Sequence, residues 1–180
     1  NAFYDGIRRY PYSSNLAKNP LMLRHIQDGT PLPATPPAAF GADGGNNAEV
    51  HNTGEVWAVM LWDCYTAMLR DTARYTVASA TKRMREYLVG SLKLTPSSPT
   101  LLEARDAVLA VVFATDAQDY RLFWQAFARR GAGQGAVVPG KTSVDNVGVI
   151  ESFDVSNNLL IESVTLTDTV KSCDSDGILD

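Results

Sequence analysis

The chain has 180 residues, 45% of them hydrophobic and 20% charged, which is enough for one substantial core that buries roughly 70% of the unfolded surface. A net charge of -4 and a pI near 5.1 argue against a nucleic-acid partner, which needs a basic face. No apolar run approaches the ~20 residues of a membrane-spanning helix, and the two cysteines, Cys64 and Cys173, exclude a CxxC metal or redox site by their spacing and give no support for a disulfide framework.

The chain opens on Asn1-Ala2-Phe3-Tyr4-Asp5, without an initiator Met and without the basic and apolar regions of a signal peptide, so it reads as a piece of a longer product. Cap-forming residues from Ser13 and Pro20 predict a short helix that Gly29 ends. Residues 30 to 48 carry Pro31, Pro33, Pro36, Pro37, Gly41, Gly44 and Gly45 and predict a long surface loop. Four longer helices follow. The first, Thr53 to Asp71, gathers Trp57, Leu61, Cys64 and Met68 on one face, and the second, Thr76 to Leu92, gathers Ala80, Met84, Tyr87, Leu88 and Ser91. The third, Pro99 to Ala114, carries Leu101, Ala104, Val108, Val111 and Val112. The fourth, Ala117 to Arg130, has Asp116 and Asp119 in its first turn, Phe123, Trp124 and Phe127 as core residues, and Gly131 as its stop. Arg8-Arg9, Lys82-Arg83-Met84-Arg85 and Arg129-Arg130 are short basic runs that suit solvated helix faces or helix ends. Beyond Gly131, Val147, Val149, Ile150, Phe153 and Val155, then Leu159, Ile161, Val164 and Leu166, predict extended structure. The fold class is mainly α, with three segments: a helical lobe over 1–135, a linker or extended segment over 136–172, and a separate motif over 173–180.

His51 is the residue with the clearest chemical potential. It stands in Glu49-Val50-His51-Asn52-Thr53-Gly54-Glu55, where an apolar, aromatic-rich helix begins. A histidine acts as a proton donor or as a hydrogen-bond donor to a developing oxyanion because its ordinary pKa, ~6.5, lies near neutrality. Glu49, Asp43 and Glu55 each lie close enough in sequence to orient the ring. A capping histidine without chemistry is the competing reading. A metal reading of His51-x-x-x-Glu55 lacks ligands, since zinc takes three or four and only His25 remains; His25 itself reads as an ordinary helix residue.

Resemblance adds what spacing does not. Gly6-Ile7-Arg8-Arg9-Tyr10-Pro11-Tyr12, Asn19-Pro20, Val50-His51 with Gly54-Glu55-Val56-Trp57-Ala58, Pro96-Ser97-Ser98-Pro99 with Ala104-Arg105-Asp106, and Trp124-Gln125-Ala126-Phe127-Ala128-Arg129-Arg130-Gly131 occur in that order. This series resembles the landmarks of the fungalysin family of secreted zinc metalloendopeptidases. The resemblance implies the C-terminal helical lobe of a thermolysin-like peptidase. It implies His51 as the histidine that stabilises the tetrahedral oxyanion, a role in which one donor is worth ~3 kcal/mol. It implies Arg8 as the arginine that holds a substrate carbonyl with its fork of donors. The implied cofactor is zinc, the implied partners are peptide substrates and the zinc-binding N-terminal half of the same peptidase, and the implied location is extracellular. The competing class is a non-catalytic helical binding module of a secreted multidomain protein; an HExxH segment encoded upstream of Asn1 decides for the enzyme.

The departures sharpen these expectations. Many members pair two cysteines where this chain has Ser97 and Arg121. Neither the HExxH helix nor the following glutamate ligand stands in this chain, and the motif glutamate is also the base that activates metal-bound water. Residues 1 to 180 alone are therefore expected to bind no catalytic zinc and to cleave no peptide. The end of the chain, Asp174-x-Asp176-Gly177-x-x-Asp180, resembles the start of a thrombospondin type 3-like calcium repeat, with spaced carboxylates around a tight glycine turn.

Overall fold

The computed structural model describes residues 7–33 and 46–155. Four α-helices carry the fold: α1 (Val50–Arg70), α2 (Val77–Leu94), α3 (Leu101–Thr115) and α4 (Ala117–Arg129). Helix α1 packs on α2 and α4, and α3 packs on the same two, so the helices close a ring around one core. The chain is mainly α, as its periodicity indicates, and no sheet forms among the described residues.

The helix ends follow their capping chemistry. Thr76 and Ser79 form a reciprocal capping box at α2, and Thr100 and Glu103 form another at α3. The start of α3 therefore lies at Thr100 rather than at the expected Ser98-Pro99. Asp116 caps α4 by accepting from the amides of Gln118 (2.8 Å) and Asp119 (2.9 Å), so α3 and α4 turn on a single residue. Gly131, at φ 80°, ends α4 in the left-handed region that a side chain disfavours.

The core draws Val56, Val59, Met60, Cys64 and Met68 from α1, Ala80, Met84 and Tyr87 from α2, Val108, Leu109 and Val112 from α3, and Phe123 and Phe127 from α4. The expected inner face of α2 holds apart from half-buried Leu88. On α1 the inner face is turned: Trp57 and Leu61 lie at its margin, and Val56, Val59 and Met60 replace them at the centre. Helix α3 is apolar nearly all round, so its stripe gave no unique face, and Leu109 is buried where Val111 was expected.

Two arginines in the short basic runs are not solvated. Arg130 is 0% exposed and grips Asp63 of α1 through Nε (2.8 Å), while its Nη1 donates to the carbonyls of Asn19 (2.6 Å) and Leu21 (2.8 Å) and Nη2 to that of Ser13 (2.9 Å). One side chain thus fastens the N-terminal segment across α1 and α4. Arg9 is likewise buried. The run on α2 does face solvent, where Lys82 and Arg83 meet Glu86 at 3.8 and 3.6 Å. Asp119, expected as a first-turn acid, is fully buried as well and accepts from the hydroxyls of Tyr75 (2.5 Å) and Tyr87 (2.6 Å) and from Arg74 (2.8 Å).

The helix expected after Pro20 is only a 3-10 turn, Leu23–Ile26, and Gly29 at φ 76° follows it. Other partners take the amides that a longer helix would use: Leu23 N donates to the distant Arg130 O (2.8 Å) and Met22 N to the His25 Nδ1 of the same turn (2.7 Å). Of the extended structure expected beyond Gly131, the described residues form two isolated bridges, Ala132 with Ser152 and Val137 with Ile150. Val147, Ile150 and Phe153 stay exposed. This segment lies back along the lobe: the Gln27 side chain accepts from Gly148 N and Val149 N, and Glu151 pairs with Arg24. Residues 159–166 and 173–180 lie outside the described residues.

Candidate functional site

The site is assembled at the start of α1. Glu49 is the N-cap: its Oε2 accepts from the amides of His51 (2.7 Å) and Asn52 (3.2 Å). This cap starts the helix at Val50, three residues before the expected Thr53, and sets His51 in the first turn rather than on a loop. The other carboxylate oxygen of Glu49 meets the imidazole Nδ1 at 2.8 Å. One side chain therefore caps the helix and fixes the ring. Partial desolvation pushes the Glu49 carboxyl up, but the hydrogen bonds from the His51 ring and from the Asn52 and His51 amides outweigh it and hold the group below the usual carboxylate range. The imidazole side chain is 47% exposed, so its outer nitrogen is open to a ligand.

Arg8 reaches the same turn. Its Nη1 donates to the His51 carbonyl at 2.6 Å. The adjacent Arg9 is the buttress that sequence reasoning missed. Its Nε donates to Glu55 Oε2 (2.9 Å), Nη1 to Asn47 Oδ1 (2.7 Å) and Nη2 to Asn52 O (3.0 Å), and the Arg9 and Glu55 side chains are 1% and 0% exposed. Glu55 Oε1 also accepts from Tyr10 N at 2.7 Å. Glu55 is thus turned into the core and does not contact the imidazole; of the two described acids considered for that contact, Glu49 makes it. Asp43, the third, lies outside the described residues.

The approach to the helix is pinned from a second side. Asn47 Nδ2 donates to Gln27 O and Thr30 O, both at 2.8 Å, and Ala48 N donates to Asp28 Oδ1 at 2.8 Å. Asn52 Nδ2 donates to Asn46 O at 2.6 Å. The only sequence signal for this frame was the Arg-Arg pair itself, and adjacent arginines cannot be sorted into buried and exposed without their partners.

The arrangement presents an imidazole held by a carboxylate, beside a guanidinium, above a turn that a buried ion pair keeps rigid. The guanidinium is a donor, and the imidazole can donate or accept according to its tautomer. Among the described residues no group of three or more His, Cys, Asp or Glu side chains gathers to hold a metal ion. Asp174, Asp176 and Asp180, considered as calcium ligands, lie outside the described residues.

Comparison with known proteins places this chain in a family. The family model of fungalysin metallopeptidase (M36) matches residues 1–136. An extracellular metalloproteinase of Aspergillus terreus is 30% identical over 161 residues, covering 83% of this chain and 22% of the relative. Extracellular metalloproteinase 3 of Trichophyton tonsurans is 30% identical over 142 residues, 73% of this chain and 20% of the relative. The chain spans about a fifth of the length of the curated relatives it matches. A match over three quarters of its length, and over every landmark from Arg8 to Gly131, shows that this chain belongs to the fungalysin (M36) family of metallopeptidases.

Proposed function

We propose that this chain is the C-terminal lobe of a secreted, zinc-dependent endopeptidase, in which His51 donates a hydrogen bond to the oxyanion formed when a peptide carbonyl is attacked. The observation that carries the reading is the contact between Glu49 and the His51 ring beside Arg8. With Nδ1 bonded to Glu49, the imidazole is oriented before substrate arrives, and in its doubly protonated form it donates from Nε2. Preorganised donors stabilise developing charge because they need no rearrangement at the moment of reaction. Arg8 spends one N–H on the His51 carbonyl and keeps further donors on its guanidinium for a substrate carbonyl.

Zinc is the metal that the family implies. The described residues do not supply a ligand set for it, so the roles assigned here are those of this chain's own groups: the ring donor, the guanidinium and the wall that carries them. The metal's ligands and the base that activates water are assigned to the N-terminal half of the same protein, and the 180 residues alone are inactive on this reading. Secretion accords with the names of the relatives, which are extracellular metalloproteinases; no helix among the described residues is long and apolar enough to cross a membrane.

The test is His51→Ala in the full-length protein. Turnover of a peptide substrate is expected to fall by roughly a hundredfold or more with bound zinc unchanged, and Glu49→Gln, which keeps the cap but loosens the ring, is expected to lose less. Unchanged turnover in His51→Ala refutes the role.

A further inference from the structure

A cleft of about 460 Å³ lies between the first two turns of α1, the start of α3 and the loop that carries Lys141 and Asn146. A further 130 Å³ continues it toward Ile26 and Val138. This volume is in the range of binding clefts, roughly 300–1,000 Å³. Its near end adjoins the site described above, since Ala48 and Val50 line the cleft and are the chain neighbours of Glu49 and His51.

Three observations say what this cleft is built to take. Gly54 sits inside α1, where glycine costs about 1 kcal/mol relative to alanine. Its φ is not positive, and a Cβ there would meet nothing within 4 Å. Among the described residues neither backbone geometry nor packing calls for a glycine there, and its bare Cα lines the cleft. The floor beside it is apolar and firm: Trp57 is half-buried and stacks on Phe127 at 5.9 Å and 19°, with Leu101 alongside. Among the described residues Lys141 is the single charged one lining either part, and the amino-terminal end of α3 opens on the same space. Glu103 lies close enough to Lys141 to feel its charge, and its carboxylate also accepts from the Thr100 amide (2.7 Å) and hydroxyl (2.9 Å).

We infer that this cleft is a substrate subsite outside the reacting centre: it seats an extended stretch of polypeptide with an apolar side chain on the Trp57–Leu101 floor and a carboxylate beside Lys141. The inference rests on the reading of His51 as the reacting end, which sets the cleft in line with the bound chain. Apolar burial supplies affinity and the single cation supplies a preference for an acidic residue one or two positions away.

The experiment uses the ¹⁵N-labelled 180-residue chain and the probe acetyl-Gly-Gly-Phe-Gly-Asp-Gly-amide. Saturable amide shifts are expected at Thr53, Gly54, Leu101 and Asn146. The Asp probe is expected to bind roughly threefold tighter than its Asn counterpart, as an exposed charge pair allows, and Lys141→Glu should erase that difference. Gly54→Leu should abolish the shifts with the far-UV spectrum unchanged, and in the full-length protein should raise KM for the same sequence with kcat unchanged. No saturable shift at millimolar probe, equal binding of a probe with Ala in place of Phe, or contacts in the free chain between Trp57 and residues 34–45 would each overturn the inference. His51→Ala should leave the titration intact. Unchanged turnover of the His51→Ala enzyme therefore sinks the oxyanion role alone, and a null titration sinks the subsite alone.

Discussion

Replacing Glu55 by Ala probes the frame that holds His51 and Arg8 in place. The Glu55 carboxylate accepts from Arg9 Nε and Tyr10 N, and the Arg9 and Glu55 side chains are 1% and 0% exposed. Removing it strands the Arg9 guanidinium in the core, a loss that typically costs 3–5 kcal/mol because the remaining charge is buried without its counter-ion. Arg9 keeps Asn47 Oδ1 and Asn52 O as acceptors, which sets the expectation for Glu55→Ala near the lower end, about 3 kcal/mol. That is a large share of the roughly 5–15 kcal/mol by which a domain is stable. Urea unfolding of the 180-residue chain followed by far-UV circular dichroism measures it, with the midpoint expected to fall by about 1 M or more at an m-value of ~1–3 kcal/mol/M. The double variant Arg9→Met/Glu55→Leu removes both charges, so its loss should be smaller than the sum of the single losses by about 2 kcal/mol. A Glu55→Ala loss under about 1 kcal/mol, or additive single losses, would refute the buried pair as the frame of the site.

Two further outcomes follow from local geometry. His25 is buried, and desolvation together with Arg24 and Arg9 pushes its imidazole down to about 4; its Nδ1 accepts from Met22 N and so favours the neutral ring. The folded chain then binds fewer protons than the unfolded chain between pH ~6.5 and about 4, so stability is full above that window and is lost as pH falls through it, by up to about 3 kcal/mol. His25→Asn keeps the acceptor without titrating and should flatten that part of the pH profile; an unchanged profile contradicts the assignment. At Gly133, a Cβ would stand 2.5 Å from Asp154 O and 2.6 Å from Ser152 O. Gly133→Ala should cost about 1–3 kcal/mol and speed hydrogen exchange at Gly133, Gln134 and Ser152 with the helices still protected; exchange rates like those of the unaltered chain would contradict it.

Some of this protein was legible from residues alone, because the signals are local. Thr76, Asp116 and Gly131 terminate helices through bonds within two to five residues, and an apolar repeat reports an inner face wherever polar residues mark the opposite one, as on α2. The ordered landmarks from Arg8 to Gly131 identified the family for the same reason: they are read along the chain. Residue pairing was not legible. Glu49 and Glu55 lie two and four positions from His51 in sequence, yet one caps the helix against the ring and the other turns inward to an arginine 46 positions away. Arg9 and Arg130 looked like solvated charge until segments 38 to 117 residues distant supplied their acceptors. The cleft beside His51 depends on α1, α3 and Lys141 meeting in space, and only the folded chain shows that a Cβ at Gly54 would meet no described residue within 4 Å. Sequence settled that the chain is mainly helical and what family it belongs to; tertiary structure decided which charges are buried and what stands beside the histidine, because those choices are made by partners that only folding brings together.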